Sequence, residues 1–250
     1  MHYRLPIFLT LALLLLASLS AAAQTVTQSL TREKVALDGP WHFAGEPRGS
    51  HIEKPDFDDR AWQAVTIPHT WNSKTDTRTH KAAWYRTRFS LREADRGREI
   101  FFEFEGAATV ADVSLNGVHL GQHRGAFTRF LFDGTQAAVF GGDNVLVVKC
   151  DTDPKDTSDC LPAGNGYQLY HVYGGLYRRV WLLKTAPVHV DPTDYATSGL
   201  YLTPQVVSTE DTALGVKTLV RNDGATPVTV TVAGTVRDAE GQTVATTRAC

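Results

Sequence analysis

The sequence predicts an all-β protein built from stacked sheets. Three observations carry that reading. Apolar residues come in short runs that alternate with polar ones, and nowhere at the spacing of an amphipathic helix. The runs are broken by turn signals such as Asn116-Gly117, Asn222-Asp223-Gly224 and Ala239-Glu240-Gly241, which supply the positive φ angles of tight turns. Aromatic residues make up 10% of the chain and fall mostly inside those runs, where they suit the inner face of a sandwich. The 250 residues allow one large β domain or two ordinary ones. Lys+Arg number 25 against 27 Asp+Glu, a formal net charge of -2. With no basic face and no charge run, an electrostatic nucleic-acid binder is excluded.

Taken in order, the chain opens on Arg4, an apolar run over residues 5–19 and Ser20-Ala21-Ala22-Ala23. Basic start, apolar middle and small-residue end predict a signal peptide over residues 1–23, cut after Ala23, and a periplasmic or secreted product. The other reading is a membrane anchor, but the run falls short of the roughly 20 residues a helical span needs. No other run could cross a bilayer, so no membrane contact is expected after cleavage. Residues 24–36 read as a lead-in that orders on docking. Trp41-His42-Phe43 starts a strand after a turn. Phe57-Asp58-Asp59-Arg60-Ala61-Trp62 leads to Val65-Thr66-Ile67-Pro68-His69-Thr70-Trp71-Asn72, and polar residues 73–83 read as a loop.

Residues 84–91 alternate as a strand. The segment 99–135 is the centre of the domain: runs at 100–105 and 110–115, then Asn116-Gly117 and Val118-His119-Leu120, a hairpin signal. Residues 127–132 and 144–150 are further strands. Residues 151–173 form a long polar and aromatic loop, of the kind that is usually functional when it lies inside a compact domain. A strand returns over 174–183, and Thr185-Ala186-Pro187 punctuates the chain. Beyond it, Val- and Thr-rich runs at 188–190, 200–207, 213–221, 228–238 and 244–249 have the spacing of an immunoglobulin-like sandwich. About 63 residues fall short of the roughly 100 such a domain needs, so residues 187–250 read as an incomplete domain.

Several ordered pieces resemble one family. They are Trp41-His42-Phe43, Phe57-Asp58-Asp59-Arg60-Ala61-Trp62, Pro68-His69-Thr70-Trp71-Asn72, Trp84-Tyr85-Arg86, Phe104-Glu105-Gly106 and Val113-Ser114-Leu115-Asn116-Gly117. Gly121-Gln122-His123-Arg124-Gly125-Ala126-Phe127, Phe130, Asp133, Asn144-Val145-Leu146 and Gly174-Gly175-Leu176-Tyr177-Arg178-Arg179-Val180-Trp181-Leu182 complete the order. The chain resembles the N-terminal part of family 2 glycoside hydrolases, the β-galactosidase and β-glucuronidase group, with the bacterial β-galactosidases the nearer likeness. The resemblance implies a jelly-roll, galactose-binding-like β-sandwich over 24–186, then the immunoglobulin-like sandwich, then a (β/α)₈ barrel carrying both catalytic glutamates. A barrel needs about 250 residues, so none fits here, and no catalytic residue is expected in this chain. The implied partners are a β-galactoside-like carbohydrate and the downstream barrel.

In that family an Asp before the Gly-Gly-aromatic motif touches substrate. The matching position falls near Leu169, in Tyr167-Gln168-Leu169-Tyr170-His171, where there is no Asp. Asn72, Trp71, Tyr170 and His171 are the candidate substrate-binding residues. The plainer alternative is that they pack the loop or face solvent. Trp41, Trp62 and Trp181 read as core, and Arg86, Arg178 and Arg179 as sugar-gripping or strand-bracing groups. Glu103 and Glu105 lie on one strand face roughly 7 Å apart. Retaining glycosidases need about 5–5.5 Å, with the sugar between the two carboxyls, so these two read as solvent-facing or ion-paired. Cys150 and Cys160 could form a disulfide in an oxidising compartment, Cys150 otherwise being an inert buried thiol. No metal spacing or cofactor motif stands out, so no cofactor is implied. A stand-alone lectin-like module or the structural sandwich of an adhesin would use the same fold.

Overall fold

The computed structural model describes residues 32–72, 81–153, 155, 173–207 and 212–249. The expected signal peptide, Tyr170, His171 and Cys160 lie outside these described residues. In chain order the first strands are β1 (Glu33–Ala36), β2 (Trp41–Gly45), β3 (Gln63–Val65), β4 (Ala82–Leu91), β5 (Glu99–Phe104), β6 (Val110–Leu115) and β7 (Val118–Arg124). β8 (Phe130–Asp133), β9 (Gly142–Asp151), β10 (Val180–Thr185), β11 (Val188–Val190), β12 (Leu200–Val207), β13 (Thr212–Thr218) and β14 (Val220–Asn222) follow. The last two are β15 (Val232–Arg237) and β16 (Thr243–Ala249).

β1 to β10 form a jelly-roll sandwich. One sheet has the order β1-β10-β5-β8 and the other β3-β2-β4-β9-β6-β7. Alternation along each strand turns one set of side chains inward. Trp41, Tyr85, Phe102, Phe104, Val113, Leu146, Val148 and Leu182 meet there, all at most 4% exposed. The Asn116-Gly117 turn joins β6 to β7 with Leu115 opposite Val118, and both turn residues have positive φ, 52° and 84°. That is the two-residue hairpin whose twist matches its strands. Asn116 also fastens the neighbouring strand. Its Nδ2 donates to Ala137 O and Asn144 Oδ1, each at 2.8 Å, and its Oδ1 accepts from Val145 N at 2.8 Å.

Two outer faces are covered as well. The connection from β2 to β3 lays Ile52, Phe57 and Trp62 over Val145, Val147 and Trp84. On the four-stranded sheet, outward-facing Phe101 is wholly buried, its ring 5.6 Å from that of His189 on β11. The unbroken apolar run Ile100-Phe101-Phe102 is thus a strand covered on both sides.

The chain packs as two compact units, and Gln28–Pro227 contains β1 to β14. Within it β11 pairs with β14 and β12 with β13. Leu200, Leu202, Leu214 and Val216 remain exposed on the β12–β13 hairpin. The run expected at 213–221 is split at Leu219, whose N–H turns to Gly199 O at 2.8 Å. In the other unit, Val228–Cys250 holds the antiparallel hairpin β15–β16.

Candidate functional site

The segment 174–176 lies between two others. His69 N donates to Leu176 O at 2.8 Å and Trp71 N to Gly174 O at 3.4 Å. On the other side Gly175 and Ala108 exchange backbone bonds of 3.1 and 3.2 Å, and Ala108 lies on the crossing from one sheet to the other. The two glycines are needed for contact. The Trp71 indole occupies the space a Cβ on Gly174 would take. Gly175 has φ +116°, and a Cβ there would meet the Tyr85 hydroxyl and sit 2.9 Å from His69 O. Trp71 stacks on Phe43 with centroids 6.2 Å apart and planes 27° apart.

Asn72 finishes the motif. Its Oδ1 accepts from the Thr70 hydroxyl at 2.7 Å and from Gly174 N at 3.0 Å. Behind it, His69 Nδ1 is 2.9 Å from the Tyr85 hydroxyl. Burial lowers the His69 pKa and raises that of Tyr85, so both are neutral near pH 7 and the bond joins two uncharged groups. Tyr177 donates its hydroxyl to Ala126 O, and burial raises its pKa too. This edge is a rigid aromatic and amide surface. Among the described residues 69–72 and 174–177 there is no ionised acid or base.

Trp71 and Asn72 are therefore brought together, onto the first residues described after the 156–172 segment that carries Tyr170 and His171. Cys150, read from the sequence as either a disulfide partner of Cys160 or an inert buried thiol, is a free, buried thiol, and Cys160 lies outside the described residues. Its side chain points into the core from β9, between Ala83 and Ala111 in register, and burial raises its pKa, which keeps the thiol unreactive. Glu103 and Glu105 are ion-paired or hydrogen-bonded rather than poised for chemistry. Lys34 Nζ is 3.0 Å and Arg129 Nε 3.4 Å from Glu103 Oε1, and Trp181 Nε1 donates to Glu105 Oε1 at 2.8 Å.

The tryptophans divide. Trp41 is wholly buried core, donating to Leu37 O at 2.6 Å. Trp181 and Trp62, expected as core, are half-buried on outer faces. Trp181 lies between Lys34 and Arg179, 4.5 and 5.7 Å from its ring centroid, because it alternates with inward Val180 and Leu182. Arg86 is a brace, fully buried. Arg178 is exposed over the Tyr177 ring at 5.8 Å, and Arg179 lies 3.8 Å from Asp38.

The main group not singled out from sequence is Asp59. It is 2% exposed. Its Oδ2 accepts from Arg86 Nε and Arg88 Nη1, each at 2.9 Å, and His42 Nδ1 is 3.3 Å from its Oδ1. Arg86 also donates to Ile52 O and, at 3.1 Å, to Lys54 O. The signal available was an Asp in an aromatic-rich segment beside a strand that turns Arg86 and Arg88 to one face.

A sandwich of this topology, closed by a Gly-Gly segment under an aromatic edge, is a galactose-binding-like domain. Residues 63–181 match the family described as glycosyl hydrolase 2 galactose-binding domain-like, and the chain thus carries the N-terminal sandwich of glycoside hydrolase family 2. It is 31% identical over 238 residues to a β-glucuronidase of Formosa agariphila, covering 88% of this chain and 24% of that protein. It is 30% identical over 230 residues to the β-galactosidase BoGH2A of Bacteroides ovatus, covering 87% and 25%. A solved β-glucuronidase from glycoside hydrolase family 2 superposes with a TM-score of 0.79 at 28% identity, over 90% of this chain and 25% of its own. The chain thus spans about a quarter of the length of the relatives it matches. The expected nearness to β-galactosidases does not emerge, because both activities match at near-equal identity.

Proposed function

We propose that this chain is the N-terminal, non-catalytic portion of an exported glycoside hydrolase of the β-galactosidase and β-glucuronidase group, supporting the catalytic barrel and shaping the sugar pocket. The observation that carries the reading is coverage. The relatives match nearly the whole of this chain yet are about four times as long. The edge made by residues 69–72 and 174–177 then presents Trp71 and Asn72 to the substrate, and Tyr170 and His171 are the further substrate-binding candidates in the sequence. Catalysis is supplied by two carboxylates elsewhere in the polypeptide, one acting as acid/base and one as nucleophile.

The test is to express the uninterrupted reading frame that contains these residues and assay nitrophenyl β-galactoside and β-glucuronide. Turnover of one of them, with a secreted product whose first residue is Gln24, is expected. A frame that closes at Cys250, together with micromolar calorimetric binding of galactose, would instead make this a lectin.

A further inference from the structure

The outer face of the six-stranded sheet carries a cleft of about 360 Å³, within the roughly 300–1,000 Å³ of small-molecule sites. It opens where the β2–β3 connection stops covering the sheet. Strand register builds it. Trp84 on β4 stands opposite Lys149 on β9, and Lys149 opposite Asp112 on β6. The next row places Ser114 opposite His119 on β7, and Glu53 closes the side nearest the connection. Strands are about 4.8 Å apart, so Trp84 and Asp112 stand roughly 10 Å from each other across Lys149.

The polar groups are held in place before any ligand arrives. Asp112 Oδ1 accepts from Gln122 Nε2 at 3.0 Å and lies 3.4 Å from His119 Nε2. Lys149 Nζ is 3.1 Å from Asp151 Oδ2 and 5.4 Å from the Trp84 ring centroid. Lys54 leans on Gly117 at the rim. A ring of hydroxyls with an apolar C–H face needs an aromatic wall, carboxylates that accept from neighbouring hydroxyls, and a few donors. The cleft offers all three. Its lining ammonium is already held by Asp151, while Glu53 and Asp112 add two carboxylates to the lining, so an acidic sugar would be repelled.

We infer that this cleft is a binding site for a neutral hexose glycan, an assignment that goes beyond the role proposed above and stands on the lining chemistry alone. The experiment is affinity gel electrophoresis of the full chain in gels containing β-1,4-galactan, β-1,4-mannan, mixed-linkage β-glucan or polygalacturonate. Asp112→Ala removes one lining acceptor, and Ser114→Phe fills the floor, with thermal unfolding confirming that both fold. The expected result is retardation by at least one neutral polymer and by no polygalacturonate, weakened about tenfold in Asp112→Ala and lost in Ser114→Phe. Absence of retardation by every neutral polymer, equal retardation of both variants, or preference for polygalacturonate would overturn the assignment. Retardation is read without turnover, so its failure leaves the hydrolysis assay untouched, and the converse also holds.

Discussion

Asp59 is the residue on which the outer layer of the six-stranded sheet depends. Burial pushes its carboxyl pKa up, yet the bonds from Arg88 and Arg86 outweigh that and hold it below the usual range, so it stays ionised opposite a fully buried guanidinium. Removing Asp59 leaves the buried Arg86 guanidinium hydrogen-bonded only to the Ile52 and Lys54 carbonyls, without its carboxylate partner. Asp59→Ala is expected to cost about 3–5 kcal/mol, read as a lower urea midpoint with an unchanged slope. A paired Asp59→Leu, Arg86→Met replacement should lose far less than the two single changes summed. Equal losses for Asp59→Ala and a substitution of exposed Arg60 would show that the pair does not bear on stability. The sequence displays Asp59 inside a recognisable segment, but its partners are 27 and 29 residues away, and pattern reading does not pair residues across strands. Cys150 illustrates the same limit. Its spacing from Cys160 permits a disulfide, whereas the phase of β9, which turns it inward, decides that the thiol is buried.

At the scale of the element, the β6–β7 hairpin was the most legible feature, because Asn116-Gly117 fixes turn type and register together. What could not be read was that Asn116 also ties the hairpin to β9 and to the turn before it. Asn116→Ala therefore loses three side-chain hydrogen bonds and places alanine at φ 52°. The expected cost is roughly 2–4 kcal/mol, with the smaller share recovered in Asn116→Asp; calorimetric melting checks it, and a loss no larger than that of an exposed loop substitution would refute it. The short turn after β4 anchors another element. Asp95, buried, sits 3.1 Å from Lys184 on β10 and 3.2 Å from Arg92. The Arg92 bond first, and Lys184 after burial is set against it, hold its pKa well below the carboxylate range. Glu33 on β1 is lowered through Lys184 as well. The folded protein thus takes up these protons only at lower pH than the unfolded chain does. Their contribution is complete above the unfolded value of about 4 and is lost as pH falls through the folded ones. Urea midpoints are expected to fall modestly as pH drops through about 6, where the unfolded chain protonates His69 before the folded protein does, and to drop further below about pH 4, with the lower drop shallower in Asp95→Asn. An undiminished midpoint at pH 3 would contradict this.

For the molecule as a whole, the β-sandwich and its family were legible because ordered aromatic and glycine motifs record contacts that only one topology brings together. Gly174-Gly175 is intelligible once the Trp71 indole and the Tyr85 hydroxyl are seen to fill the space beside it. The division of tryptophans between inner core and outer faces was not legible, since Trp41 and Trp181 both fall on alternating runs and the phase is set by which neighbours turn inward. Relatives named for β-glucuronidase and for β-galactosidase activity share this sandwich, so its motifs do not separate the two. On the function proposed above, these residues brace a sugar-hydrolase framework while the reacting acids lie elsewhere in the polypeptide. The most direct measurement is prolonged incubation of purified residues 24–250 with nitrophenyl β-galactoside and nitrophenyl β-glucuronide. No release of nitrophenol above the uncatalysed rate is predicted; turnover that co-purifies with the folded chain would contradict the claim.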